Sequence, residues 1–487
     1  MFDRRAAGWL DTAVVAAGAL AVYLLLAQEA FHGLDVHVHV FFLTQGHLEH
    51  PFHLLYMKLA GAAWPPLRAL GLSPHHALRL LSAVGTALGV ASTHRAAASV
   101  CASRGLAFWV AALTAVLPAV VFFATVAEIH GVFAAFAGTA WWAWAIFVRR
   151  PAWWAGAVMG IATGLAASVH ATGHLLVPMF LALAWTRGGI APDVAGDGPP
   201  RASSPPRTPW RAFVVAVAAH AVVTVSLAAW LQPQRLSMPF EGQIAFLGET
   251  AAAHRTPWLG TLWRVARDEW LLALCPVSLL AWGAFFRRGR AGPTLAVAAA
   301  VAAYVGVACL LLDDVNERGA YLLPLAFPLA LLTSWFVPRP FLLAAAAAVG
   351  LSVAYAQVRS HDHVGEAAWV QGFLSVARAQ PVAVICRDVD EQEALTRALP
   401  DLPFVRVDSL LASGEQQDGY ERFCAGFDAI VAQYRKAGRV VLITRPAYEA
   451  LLAIGNPFFV RFLREHVPQH YAVDEIARDG FAALRLR

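Results

Sequence analysis

Apolar residues in this chain run for about twenty positions at a time, broken by short polar stretches, and this rhythm repeats as far as residue 357. A bilayer span needs about 20 mostly apolar residues. The pattern predicts eleven spans, near 8–27, 77–97, 105–123, 129–148, 152–168, 171–186, 211–230, 269–286, 292–312, 319–336 and 340–357. After residue 358 polarity rises and the period shortens. VAVIC (382–386), FVRV (404–407), VVLIT (440–444) and AALRL (482–486) are short β-like runs, separated by helical stretches over 391–399, 419–436 and 457–466. That alternation predicts a small α/β domain over 358–487 following an α-helical polytopic membrane domain over 1–357.

Composition agrees with the pattern. Of 487 residues, 59% are hydrophobic and only 14% charged, more apolar than a soluble protein of this size, and mean hydropathy is positive. The net charge of +5 is carried almost entirely by arginine, Lys58 and Lys436 being the only lysines, and does not argue for nucleic acid. Cys101, Cys275, Cys309, Cys386 and Cys424 show no CxxC or zinc-ligand spacing. Cys386 and Cys424 are expected either to pair or to stand as buried thiols. The N-terminal MFDRRAAGWLDTAVVAAGALAVYLLLAQ has the basic flank of a secretory signal, but its apolar run is longer than a signal core and reads as an uncleaved first span.

Charge sets the orientation, because cytoplasmic loops are enriched in Lys and Arg. Alternate connections hold Arg4 and Arg5, Arg95 and Arg104, Arg149 and Arg150, Arg187 through Arg211, Arg287, Arg288 and Arg290, then Arg339. The opposite set holds Glu29, Asp35, Glu49, Glu128, Glu241, Glu249, Asp313, Asp314 and Glu317. The expectation is an inner-membrane protein with its N-terminus in the cytoplasm and its C-terminal domain outside. Three connections stand out: a long outer loop over 28–76, a Pro/Gly/Ser-rich cytoplasmic linker over 187–210, and an outer loop over 232–267 patterned like interfacial amphipathic helices.

The chemistry concentrates in the first outer loop, where GLDVHVHVFFLTQGHLEHPFHLLYMK places Asp35, Glu49, four histidines from His37 to His50, and His53 in an aromatic setting. Elsewhere acidic residues beside spans, such as Glu29, Asp268 and Glu269, read as solvated loop residues. His37, His39, His47, His50 and His53 with Asp35 and Glu49 are a possible divalent-metal set, since imidazole and carboxylate suit Zn or Mn. The alternative is that they line a wet polar cavity. His170 and His174, four apart, share one face if their segment is helical, and are expected to line a cavity or bond an adjacent helix.

The order of features, a span, an acidic residue soon after it, the His-Pro of LEHPF about 15 residues on, then an apolar span, resembles the GT-C superfamily of membrane glycosyltransferases, protein O-mannosyltransferase-like and related bacterial families in particular. AEIHGVFAAFAGTAWWAWAIF resembles that family's acidic residue opening the fourth span. GIATGLAASVHATGHLLVPMFLALAW resembles its Gly-rich span with a polar His and following Pro, and NERGAYLLPLAFPLALL an Arg-containing element before a late span. The likeness covers about residues 10–185 and is looser beyond. Val36 and Phe52 depart from it, where many relatives have a second acidic residue and a second proline.

The resemblance implies transfer of a sugar from a polyprenyl-phosphate donor to an acceptor hydroxyl on the outer face. Asp35 then takes the role of general base and Glu128 that of second acidic residue, with His50 and Pro51 shaping the loop end. Glu49, His53, His130 and His170 are further candidates for the substrate cavity. Arg255, Arg264 and Arg318 are candidates for the phosphate, Arg318 being the one that the resemblance also favours. A carboxylate that takes the acceptor's proton in the transition state contributes typically ~10²- to 10⁴-fold, and a single displacement through an oxocarbenium-like state inverts the anomeric carbon. The departing phosphate needs positive charge or a metal. The rival reading is a transporter or lipid-binding protein using the same polar cavity as a pathway. Internal symmetry, common in transporters, is not evident in the sequence.

Overall fold

A computed structural model describes residues 4–28, 55–101, 103–149, 152–186, 210–231, 258–312, 317–362, 368–387, 402–407, 420–453, 457–478 and 480–487, with single or paired positions at 32, 36, 39–40, 43, 53, 391–392, 395–396 and 399. It divides into two units. The first comprises Met1–Gln28 and Asp35–Val358, the second Glu29–Leu34 and Arg359–Arg487.

The first unit is helical. In chain order its helices are α1 (Arg4–Leu25), α2 (Tyr56–Ala69), α3 (Pro74–Val100), α4 (Arg104–Ala115), α5 (Pro118–Thr125), α6 (Ile129–Arg149), α7 (Trp153–Val169), α8 (Leu176–Trp185), α9 (Trp210–Leu231), α10 (Trp258–Arg264), α11 (Val277–Leu280), α12 (Ala291–Leu311), α13 (Ala326–Phe336) and α14 (Pro340–Asp362). Among the described residues five helices are long and apolar enough to cross a membrane: α1, α6, α9, α12 and α14. Two bent pairs bring the number to seven. One is α4 with α5, bent by 60°, and the other is Trp258–Leu272 with Val277–Phe286, bent by 105°. The eleven predicted stretches thus coincide with helical segments, but several are shorter or broken. Pro118 ends one, because it removes a backbone donor and restricts its predecessor. α3 is long enough at 27 residues, but His75, His76, Arg79, His94 and Arg95 make it polar.

Small residues set the packing. A methyl added at Gly85 of α3 would lie 2.7 Å from the Gly131 carbonyl oxygen of α6, and one added at Gly131 would lie 2.7 Å from the Ser82 Cα; Gly89 and Gly138 are equally crowded by the partner's backbone. Gly156 and Gly160 of α7 meet Ala212 and Ala216 of α9 in the same way. Close backbone approach through small residues is how helices associate where lipid removes the hydrophobic drive.

The second unit is α/β. Its elements are α15 (Ala368–Ala379), β1 (Val382–Cys386), β2 (Phe404–Arg406), α16 (Tyr420–Lys436), β3 (Val440–Thr444), α17 (Arg445–Ala453), α18 (Pro457–Arg461), α19 (Val467–His470), β4 (Val473–Arg478) and β5 (Phe481–Leu486). The strands form one sheet in the order β2-β1-β3-β5-β4. β1 pairs in parallel with β2 and β3, with Val384 opposite Phe404 and Val382 opposite Val440; β5 runs antiparallel to β3 and β4. One face carries Val384, Cys386 and Leu442 against Phe373 and Val376. The other carries Ile385, Val441 and Ile443 against Cys424, Phe427 and Phe462. The alternation of the strands therefore puts Cys386 and Cys424 on opposite faces. Both are buried and neither forms a disulfide, which removes the pairing option.

Candidate functional site

The polar core of the first unit forms where helices break. α5 ends at Thr125 and α6 begins at Ile129, and Glu128 sits buried in the step between them. Ser82 of α3 fixes it: Ser82 Oγ donates to the Glu128 carbonyl at 2.6 Å and accepts from the Glu128 N–H at 3.1 Å. The carboxylate accepts from the Ile129 N–H at the start of α6, where the helix dipole favours negative charge. Tyr56, fully buried at the start of α2, lies near enough that the Glu128 charge adds to burial in holding its phenol well above the usual range.

A second break follows α7. His170 is extended (φ −147°, ψ 132°) and caps a 3₁₀ turn over Ala171–Leu175, its Nδ1 meeting Thr172 Oγ1 at 2.7 Å and accepting from the Thr172 N–H at 3.4 Å. Tyr304 of α12 ties the turn down by donating to the Thr172 carbonyl at 3.1 Å. His170 and His174 are consequently not on one helical face, as a continuous helix would require. His174 instead meets His220 of α9, Nδ1 to Nε2, at 2.9 Å.

Around His170 the rings accumulate. It stacks on His53 with centroids 5.7 Å apart and lies 4.8 Å from His130, 5.4 Å from Phe133 and 5.7 Å from Tyr321. His53 leads on to His39 at 6.0 Å, and His39 to Tyr56 at 4.9 Å. The end of the first outer loop is docked here by backbone contact, Leu55 N–H donating to the Ser168 carbonyl at 3.0 Å. Four histidines thus form one buried chain, His39, His53, His170 and His130, beginning beside Tyr56 and ending two residues along the chain from Glu128. Burial pushes His170, in the turn after α7, down to about 4, so it is a neutral ring. With Nδ1 accepting from Thr172, its proton lies on Nε2. This ring supplies a hydrogen-bond donor, not charge.

Positive charge enters through Arg318. Its Cζ lies 4.7 Å from the Phe122 ring centre, Phe122 touches Phe123, and Phe123 packs edge-on at 4.8 Å against His130. Arg318 adopts a positive φ of 50°, a conformation disfavoured for a side-chain-bearing residue, followed by Gly319 at 86°. Glu269 holds this turn: its carboxylate accepts from Glu317 N–H at 2.6 Å and from Gly319 N–H. Gly319 allows the approach, since a methyl there would stand 2.6 Å from Ala273 Cβ. Burial lowers the Arg318 pKa while the Glu269 charge opposes the fall.

One sequence reading changes. Glu269, expected as a solvated loop residue, is 1% exposed and is a backbone clamp; the acidic pair beside an apolar stretch was its only signal. Arg264, one of the phosphate candidates, donates to the Leu312 carbonyl at the end of α12 at 3.0 Å. His53, His130, His170 and Glu128 are brought together, and Arg318 lies one layer of rings away. Asp35, Glu49, His50 and Arg255, like His37 and His47 of the possible metal set, lie outside the described residues. Tyr56 and Tyr321 carried no sequence signal beyond their type.

No protein-family model and no curated protein matches the sequence. Solved structures do. ArnT from Cupriavidus metallidurans bound to undecaprenyl phosphate aligns with a TM-score of 0.56 at 13% sequence identity, covering 98% of this chain and 98% of that one. The same protein in the apo state gives 0.55 at 13%, covering 99% and 98%. AglB, an oligosaccharyltransferase from Archaeoglobus fulgidus in complex with an inhibitory peptide and a dolichol-phosphate, is more distant, at 0.49 and 12% over 95% of this chain and 72% of that one. With its apolar helices, its polar core at helix breaks and a full-length likeness to ArnT, this multi-pass membrane protein has the GT-C fold.

Proposed function

We propose that this protein transfers a sugar from a polyprenyl-phosphate-linked donor to an acceptor hydroxyl at the extracytoplasmic face. The observation that carries the proposal is the full-length match to ArnT, whose structure holds undecaprenyl phosphate. Of the eleven proposed spans, the shorter and bent ones pack around the polar core. The N-terminus lies in the cytoplasm, and residues 358–487 lie outside, as the arginine distribution favours.

In this reading Asp35 takes the acceptor proton as the acceptor oxygen bonds to the anomeric carbon and the bond from that carbon to the phosphate oxygen breaks. The products are an inverted glycoside and free polyprenyl phosphate. Glu128, fixed by Ser82 and the start of α6, is the second carboxylate and orients the acceptor or sugar. His53, His130 and His170 supply donors to sugar oxygens, with Glu49 and His50 at the loop end. The departing phosphate is met by Arg318, with Arg255 and Arg264 as further cations. The donor set also allows a divalent ion in the first outer loop, where Asp35, Glu49 and the histidines would hold it and where it would offset phosphate charge.

The test is transfer of label from a panel of radiolabelled polyprenyl-phosphate sugars into a membrane extract. Asp35→Asn is expected to lower transfer by ~10²- to 10⁴-fold while the protein still inserts. Equal transfer by wild type and variant would remove Asp35 from its role.

A further inference from the structure

In the second unit α18 continues through a π-helical turn, Phe462–His466, into α19. This places His466 and His470 one turn apart on the same side, with rings stacked at 4.1 Å. α16 brings Asp428 to the same point, and one candidate ligand atom from each of the three residues lies within 4.8 Å of the others. We propose that Asp428, His466 and His470 form a binding site for a divalent transition-metal ion, separate from the sugar-transfer site.

Three details favour an ion over a plain hydrogen-bonded cluster. His470 Nδ1 bonds the His466 carbonyl at 2.9 Å. A ring nitrogen donating to a backbone carbonyl is the support that metal-ligating histidines commonly have, and it leaves the Nε2 lone pair available. Asp428 Oδ1 is shared between His466 Nε2, at 2.9 Å, and the Tyr471 hydroxyl, which holds the carboxylate in place. Among the described residues, Asp428 Oδ2 and His470 Nε2 have no hydrogen-bond partner. Finally, accessibility is graded: the His466 side chain is 9% exposed and that of Asp428 35%, so the site has a closed floor and an open mouth.

Tetrahedral zinc has ligand bonds of about 2.0–2.2 Å, which puts ligand atoms ~3.3 Å apart. The His466–Asp428 pair is already near that spacing. The remaining closure, about 1.5 Å at most from the 4.8 Å limit, falls to the exposed His470. On binding, the ion takes the place of the hydrogen between His466 Nε2 and Asp428, and the ring's proton shifts to Nδ1, so that His466 ligates as a neutral imidazole. Two imidazoles and a carboxylate select Zn²⁺, Co²⁺, Ni²⁺ or Cu²⁺ over Mg²⁺ and Ca²⁺. The ligands come from segments 38 residues apart, so the ion binds only the folded unit and staples α16 to the turn before α19.

The experiment titrates Co²⁺ into the full-length, detergent-solubilised chain purified without a polyhistidine tag, reading visible d–d absorption, and then displaces it with Zn²⁺. His470→Ala, an exposed position, and Asp428→Asn, which keeps a hydrogen-bond acceptor, are compared with wild type. Near-UV circular dichroism checks that the unit is folded. The expected result is a loss of one Co²⁺ equivalent, or at least ~tenfold weaker binding, in each folded variant, with sugar transfer unchanged. Undiminished binding in both variants, or no Co²⁺ uptake by wild type, overturns the proposal.

Discussion

Among the described residues, two groups of histidines differ in what surrounds them. In the membrane unit His39, His53, His130 and His170 meet at chain breaks, among Tyr56, Phe123, Phe133 and Tyr321, away from water. In the α/β unit His466 and His470 follow each other along one helical segment and face a carboxylate at a partly open surface. Aromatic enclosure strips charge from an imidazole and leaves a directed donor, which suits a sugar. A carboxylate and a half-open mouth leave lone pairs in one small volume, which suits a cation. The same residue type is tuned in opposite directions by its neighbours.

The contrast can be tested from the large effects downward. Gly85→Val forces a side chain into the α6 backbone and is expected to cost about 3 kcal/mol, abolishing transfer, while Co²⁺ binding by the α/β unit persists; parallel assays of one preparation check both. Glu128→Gln keeps the shape of the step before α6 but removes its charge. Transfer should fall about 10³-fold with the thermal midpoint within a few degrees of wild type. Arg318→Gln should lower kcat/KM about 10²-fold, measured with the best donor of the panel.

The smallest effect concerns pH. The folded His170 pKa, about 4, lies below the ordinary 6.5, so the unfolded chain binds the proton more readily. Its contribution to stability is complete above 6.5 and is lost as pH falls towards 4. His170→Gln should flatten that part of a midpoint-against-pH curve.

The sequence made some of this legible and hid the rest for identifiable reasons. VAVIC and VVLIT are uniform apolar runs, and they are β1 and β3, buried on both faces at the centre of the sheet. VDEIAR, strand β4, was missed because it is a polar edge strand whose partner, β5, supplies the pairing. His53, just after the His-Pro, and His130 of AEIH lie in separate stretches of the sequence, and the fold brings both rings against His170. Nothing local marked His170 as extended rather than helical, or Arg318 as left-handed. Both depend on contacts made elsewhere, the first on Tyr304 and Thr172 and the second on Glu269. The His466 and His470 spacing was visible in HVPQH, but Asp428 is 38 residues upstream of His466 and only the fold brings it there.

The glycine seam between α3 and α6 carries a mechanical consequence. Where backbone lies against backbone there are no side chains to change rotamer, and a slip of one helix by a single residue would drive a methyl into a carbonyl. The joint behaves as a dovetail: it holds its register or it comes apart. Glu128 and His130 are mounted on it, so they form the anvil of the molecule. In the proposed reaction, movement that admits a long lipid and an acceptor would come from the elements around that anvil, while the two helices that carry it stay still.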